Sequence, residues 1–470
     1  MCSNSRRPLT RFAILFFAIG INAASGIRGN ARGAVPNYDV EEAVSLAQAH
    51  NPDLVIARKK VQAARGGVTE ARSGFLPAVV STGLFRERQH QQDSRLRDED
   101  YSASLRVVQN LYTGGAVTNQ MAIARLNLEI QELELQATNQ RVAMDVRIAF
   151  NELLLNRAKI SVEEQSVGVL QEEAKSQQQR FNAGTVGQLD VRRAEVALAN
   201  EQPALIDART QLKNSYLRMN ELLGMQGNEN AFEATGELEY RAGHSDLGSC
   251  LARANTQRPE IIEKQKQIEI EEHQAELDRS AMRPQVEAFS GYEIYNERDP
   301  LIGREFNHGY VFGLNARWNI FDGYATRGRL QATQARRDAA VQALNATRLS
   351  IASEVRSAFF DIEQADHILQ SETKNVQSAA ESLELAKANL GAGLGTQLDI
   401  LQAASDVTRT RLTRLSAIYE HNIAMARLAR ACAATPVELG SATPITQDLT
   451  GRKGLNVVDL ARPPQKLSQP

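Results

Sequence analysis

Two periodicities alternate along this chain. Over 101–112, Tyr101, Ala103, Leu105 and Val107 alternate with Ser102, Ser104 and Arg106. Over 309–321, Tyr310, Phe312, Leu314, Ala316, Trp318 and Ile320 alternate with Val311, Gly313, Asn315, Arg317 and Asn319. A period of two with one apolar and one largely polar face predicts β-strands. Segments 78–88 and 285–295 are their less regular partners. Elsewhere the period is helical. The stretch 116–181 predicts one helix of about 66 residues, roughly 100 Å long. Val146, Leu153, Ile160, Val167, Ala174 and Phe181 form one heptad seam along it, and Ile148, Leu155, Val162 and Val169 a second. Positions two apart on a helix differ by about 200°, so the seams lie on nearly opposite faces and call for a neighbour on each side. A second long helix over 325–390 keeps the first seam (Val355, Ile362, Leu369, Val376, Leu383, Leu390). It carries Ser357, Gln364, Ser371 and Ser378 at the second.

These elements occur twice, in repeats at 40–226 and 247–433. Asn51-Pro52-Asp53 matches Arg258-Pro259-Glu260, and Leu76-Pro77 matches Arg283-Pro284, at an offset of 207. Asn110-Leu111-Tyr112-Thr113-Gly114 matches Asn319-Ile320-Phe321-Asp322-Gly323, and Gly184…Gln188-Leu189-Asp190-Val191 matches Gly393…Gln397-Leu398-Asp399-Ile400, at 209. Each repeat predicts a first helix (40–74; 247–282), two strands, a long helix and a return helix (188–223; 397–433). Pro203 should kink the first return helix. A first helix and a return helix together nearly equal one long helix, so the pair could stack end to end beside it. The linker 224–246 would then lie halfway along, and 434–470 forms a polar, mobile tail.

Composition narrows the class. A net charge of −2 gives no reason to expect nucleic-acid binding, and 5% aromatic residues suit long helices better than compact cores. Arg6, Arg7 and Arg11 precede an apolar run at 12–21 and then small residues, the pattern of a secretory signal peptide over about 1–26, cleaved between 24 and 34. Of the cysteines, Cys2 falls in that segment. Cys250 and Cys432 lie at the start and end of the second repeat, where a disulfide is possible if the helix ends bring them together. The histidines are scattered, and neither a catalytic set, a metal-ligand spacing nor a phosphate loop stands out. No enzymatic activity, cofactor or metal is expected.

The strands fit an amphipathic hairpin on a core or membrane strands of about 9–11 residues. The export signal favours the membrane, with Tyr292, Tyr295, Tyr310, Trp318 and Phe321 as an interfacial girdle. Four strands cannot close a barrel alone, and open edges are not tolerated in lipid. The chain is therefore expected to supply strands to a shared barrel.

Taken in this order, the motifs resemble the TolC family of outer-membrane channels over about 40–433. The resemblance implies an α+β membrane protein in which a homotrimer builds a 12-stranded β-barrel in the outer membrane of a Gram-negative bacterium, continued by a long α-helical barrel in the periplasm. It implies an exit duct for a tripartite machine with a periplasmic adaptor and an inner-membrane transporter. That transporter is an ABC protein in type I secretion or a proton-driven one in drug efflux; the absence of a lipobox favours type I secretion. The resemblance places a cation-selective entrance at Asp190 and Asp399. A second acidic position is here Gln402, and the positions of a latching arginine and tyrosine are Gly395 and Leu390. Adaptor contacts would fall at the tips, at Gly184, Gly187, Gly391, Gly393 and Gly395. A bland role for the aspartates is helix stabilisation in the first turn, and for the glycines simple helix capping. A different class, the periplasmic coiled-coil adaptor, also uses long helical hairpins, although usually one per chain.

Overall fold

The computed structural model describes residues 36–87, 99–225, 232–243, 246–296 and 306–434. The signal segment, the tips of the strand loops, parts of the 224–246 linker and the tail after 434 lie outside the described residues.

The first helix of each repeat is two helices. In repeat one these are α1 (Val40–His50) and α2 (Pro52–Ser73). In repeat two they are α5 (Leu247–Gln257) and α6 (Pro259–Ser280). Proline disfavours helical dihedrals in the residue before it. Asn51 accordingly sits at φ −57°, ψ 130° and Arg258 at φ −67°, ψ 124°. Each proline then occupies the first position of the next helix, where its missing N–H costs nothing.

β1 (Asn37–Tyr38) precedes α1, and between the two pairs run the hairpin β2 (Ala78–Glu87) and β3 (Glu99–Tyr112), the long helix α3 (Ala116–Asn182), the return helix α4 (Gln188–Leu223) and β4 (Glu233–Ala234). After α6 come β5 (Gln285–Asn296), β6 (Phe306–Arg317), α7 (Ala325–Gly391) and α8 (Gln397–Ala431). Pro203 lies inside α4 without ending it. β6 stops at Arg317, short of 321, because its partner begins at Gln285 directly after Pro284, which has no N–H to offer. Trp318 and Phe321 therefore lie beyond the strand.

β2, β3, β5 and β6 form one antiparallel sheet in that order. The helices repeat it: α3 packs between α2 and α4 on one side and α6 and α8 on the other, and α7 packs against α6 and α8. The result is a wall four elements wide, in which every strand continues into the helix beneath it. Both seams of α3 are covered: Val146 and Leu153 on one are fully buried, Leu155 and Val162 on the other nearly so. Ser166 of α3 is hydrogen-bonded both by Thr408 of α8, at 3.0 Å, and to Glu201 of α4. On α7, Val355, Val376 and Leu383 are buried, but Leu349, Phe360 and Leu385 are exposed on the outer flank of the wall.

Both repeats join their broken staves with one side chain. The Asn51 carboxamide oxygen accepts from Asp53 N–H (2.9 Å), capping α2, while its Nδ2 donates to the Leu222 carbonyl at the end of α4 (2.8 Å). Arg258 does the equivalent for α6 and α8: a guanidinium nitrogen donates to the Arg430 carbonyl (3.1 Å), and the group is clamped by Glu260 and Glu354. Only α2 and α6 can continue the return helices, so α1 and α5 are additions beside the junction rather than parts of the staves. Two apolar clusters lie there. One gathers α1, α3 and α4 with Phe232 and Leu238; the other gathers α5 and α7 with the end of α8, and holds Cys250 and Cys432 as free thiols.

Candidate functional site

The sheet is inverted relative to a soluble core. On β3, Tyr101, Leu105 and Val107 are exposed, while Ser102, Ser104 and Arg106 are half-buried. On β6, Tyr310, Phe312 and Leu314 stand 69–89% exposed. The register aligns Leu105 with Tyr292 and Tyr292 with Tyr310, so the apolar residues share one face. The opposite face carries Arg106 paired with Glu293 at 2.8 Å. An apolar face turned outward over an ion-paired inner face is the signature of a strand set between lipid and water.

The five girdle residues do not sit together. Tyr292 and Tyr310 are in edge-to-face contact, with centroids 5.2 Å apart. Tyr295, three residues from Tyr292, falls by strand alternation on the face of Glu293. Trp318 and Phe321 lie at the strand-to-helix junction, where Trp318 Nε1 donates to the Met282 carbonyl (3.0 Å). Exposed Phe75, Leu76, Tyr112 and Tyr324 share that level; Phe75, Leu76 and Tyr324 lie outside the alternating runs, and Tyr112 is the last residue of one. Tyr324 is in the left-handed region at φ 67°, where repeat one has Gly115 at φ 92°.

The two helical tips differ in construction. At the α3–α4 turn Gly184 takes φ 72°, and Gly187, in ordinary extended conformation, leaves α4 without a side-chain cap. Asp190 is half-buried in the first turn. At the α7–α8 turn only Gly393 has positive φ, 77°. A Cβ on Gly395 would come within 3.1 Å of the Asn389 Cβ, whereas Gly391 ends α7 in open space. Thr396 and Asp399 form a capping box: the Asp399 carboxylate accepts from Thr396 N–H and from its hydroxyl, each at 2.8 Å. Those donors hold the Asp399 carboxyl below its usual range, the backbone N–H foremost. Asp399 remains exposed. Gln402 reaches Asp406 at 3.4 Å, and Asp406 is already paired with Arg409. Leu189, Leu394 and Leu398 project from the tips, 60–83% exposed. Leu189 and Leu398 each stand directly before the aspartate of the tip motif.

Midway along the wall the linker is pinned by a polar cluster. Buried His421 of α8 places Nδ1 2.8 Å from Asp366 of α7 and Nε2 2.9 Å from the Arg241 carbonyl. The Tyr240 hydroxyl donates to the same Asp366 oxygen at 3.1 Å. Burial, followed by the Asp366 charge, raises the Tyr240 hydroxyl to about 12. No group of metal-ligating side chains occurs among the described residues, and no helix among them is long and apolar enough to cross a membrane.

A lipid-facing four-stranded sheet continued strand by strand into a wall of helices defines an outer-membrane channel subunit. The chain belongs to the outer membrane efflux protein family, whose model matches residues 43–225 and 250–434. It is 23% identical over 414 residues to outer membrane protein TolC of Vibrio cholerae, covering 87% of this chain and 93% of that one. It is also 23% identical to protein CyaE of Bordetella pertussis, covering 86% and 84%. Among solved structures, VceC of Vibrio cholerae superposes with a TM-score of 0.71 at 17% identity, covering 84% of this chain and 96% of that chain. The CmeC outer membrane channel of Campylobacter jejuni gives 0.72 at 16%, covering 84% and 85%. The protein is an outer-membrane protein with its helical wall in the periplasm.

Proposed function

We propose that three copies of this chain form an exit duct that passes cargo from an inner-membrane transporter and a periplasmic adaptor to the outside. The observation that carries this is the sheet. β2 and β6 are open edges on a lipid-facing surface, and an unpaired edge in lipid costs several kcal/mol for each unsatisfied group. Joining β6 to β2 of the next copy closes twelve strands, and the same step brings the bare flank of α7 (Leu349, Phe360, Leu385) against exposed Val196, Ile206 and Leu217 of α4. In this assembly Asp399 and Asp190 line the periplasmic entrance, and the leucines of the tips offer the adaptor an apolar grip.

The cargo we propose is protein, handed over by an ABC transporter of type I secretion. Relatives of this chain include the proteases secretion protein PrtF of Dickeya chrysanthemi. The second reading is small-molecule or ion efflux, favoured by similarity to the cobalt-zinc-cadmium resistance protein CzcC of Cupriavidus metallidurans. Deleting the gene and assaying both phenotypes separates them. Loss of a secreted protein with unchanged tolerance of drugs and metals is expected. Unchanged secretion with lowered tolerance would replace the first reading by the second. Recovery of the protein as a soluble monomer would overturn the duct itself.

A further inference from the structure

Cys250, in the first turns of α5, and Cys432, the C-cap of α8, are 4% and 0% exposed. They lie in one apolar cluster with Ala254, Val355, Leu428 and Ala431, and the Cys432 thiol is hydrogen-bonded to Cys250. The repeat explains how they come to meet. At the offsets that relate the two repeats, 207 at the start and 209 at the end, their counterparts are Ala43 and Leu223. Both are fully buried in the cluster of repeat one. The same joint is thus apolar in one repeat and dithiol in the other.

The backbone around the pair is held from both sides. Arg258 anchors the Arg430 carbonyl at 3.1 Å, two residues before Cys432, and Cys432 N–H donates to the Leu428 carbonyl at 2.9 Å. Two thiols fixed in contact, in a compartment where disulfides persist, have one obvious chemistry. No third ligand makes them a metal site among the described residues. A role as an exposed redox sensor would require access that neither thiol has.

We propose that Cys250 and Cys432 are joined by a disulfide in the mature protein, closing repeat two into a covalent ring. The oxidant is the disulfide of a periplasmic thiol-oxidising protein. A thiolate of one cysteine attacks a sulfur of that disulfide, and the other donor sulfur leaves as a thiolate. The second cysteine, as thiolate, then attacks its partner's sulfur in the mixed disulfide and expels the donor as its dithiol. Two protons leave the two cysteines, and two electrons pass to the donor. Burial pushes the Cys432 thiol up, so the exchange belongs to the stage of folding before the cluster closes. The bond ties the start of α5 to the end of α8, beside the Arg258 junction.

The inference rests on periplasmic residence of the helical wall, not on the nature of the cargo. The test is a non-reduced tryptic digest of protein extracted from outer membranes with thiols blocked by N-ethylmaleimide in denaturant. A linked peptide pair carrying Cys250 and Cys432 in most molecules, resolved by reductant into two alkylatable peptides, is the expected result. In Cys250→Ser, Cys432 should become alkylatable without reductant. Both cysteines carrying maleimide before reduction, in half the molecules or more, would overturn the proposal. Since the readout is thiol state alone, that failure would leave the duct reading untouched.

Discussion

Replacing Thr396 with alanine isolates the one feature by which the two helical tips differ most. The Thr396 hydroxyl donates to the Asp399 carboxylate at 2.8 Å and faces the Asp399 N–H at 3.4 Å. Alanine removes both contacts and leaves the backbone N–H of Thr396 on the carboxylate. Loss of a threonine N-cap costs about 1 kcal/mol, with a range of about 0.5–2. If that cost falls on local opening of the tip, amide exchange over 397–400 accelerates by about five-fold. The assay is hydrogen exchange by mass spectrometry on purified protein, comparing peptides from the second tip with those from the first. The first tip is an internal reference, because Gly187 gives α4 no side-chain cap. It should exchange faster than the second in the wild type and be unchanged in the variant, and Thr396→Ser should restore protection. Equal protection of the tips in the wild type, or no change over 397–400 in Thr396→Ala, would refute the claim that this box stiffens the second tip.

Asp399→Asn keeps an acceptor for Thr396 while removing the charge, so it should lower cation selectivity in planar bilayers; an unchanged reversal potential under a salt gradient removes Asp399 from the entrance. Because its carboxyl is held below the usual range, wild-type selectivity from this residue should persist as pH falls through ordinary carboxylate values and fade only beneath them. Gly224→Ala puts a side chain at φ 68° with its Cβ 2.5 Å from the His50 carbonyl oxygen. The left-handed backbone alone costs about 1–2 kcal/mol, so the melting temperature should drop, whereas Gly236→Ala, at φ 101° in open space, should carry the backbone cost without the clash and lower it less. The Tyr240 hydroxyl is raised to about 12, so the folded form holds a proton that the unfolded chain releases near 10. The stabilisation it gives the linker is intact below that value and is lost as pH climbs towards about 12. Proteolysis within 232–243 should therefore accelerate over that alkaline window, and Tyr240→Phe should flatten the response.

Element types and the double layout were legible because they rest on local periodicity: the seams of α3 and the alternation of β3 need no knowledge of partners. The Asn-Pro-Asp and Arg-Pro-Glu motifs were visible as matches, but their work was not. Asn51 reaches a carbonyl 171 positions away and Arg258 one 172 away, and no local pattern encodes that. The same applies to His421, Tyr240 and Asp366, which three separate segments bring together. Aromatic composition does not say which face a residue takes: Tyr295 follows Glu293 inward, and Pro284 ends the pairing before Trp318. At the second tip, Gly391, Gly393 and Gly395 are alike in the sequence. One of them answers to backbone dihedrals, one to a close approach and one to neither.

The single-residue joints at Asn51 and Arg258 bear on how such a wall can deform. In each chain α3 and α7 are unbroken beams of 67 residues, and between them stand staves cut in two and pinned at mid-height. A ring of three chains therefore alternates six stiff staves with six articulated ones. Splaying its lower end needs no rupture of the helical ladder in any stave, because the bending can be taken up at the pins. The two kinds of pin respond differently to solvent. Asn51 holds by one neutral hydrogen bond to the return helix. Arg258 holds by a buried guanidinium between two carboxylates, which salt screens poorly. Denaturant should thus loosen the two halves of each chain unequally, while ionic strength moves neither pin much, giving the tube a compliant sector and a rigid one in every third of its circumference.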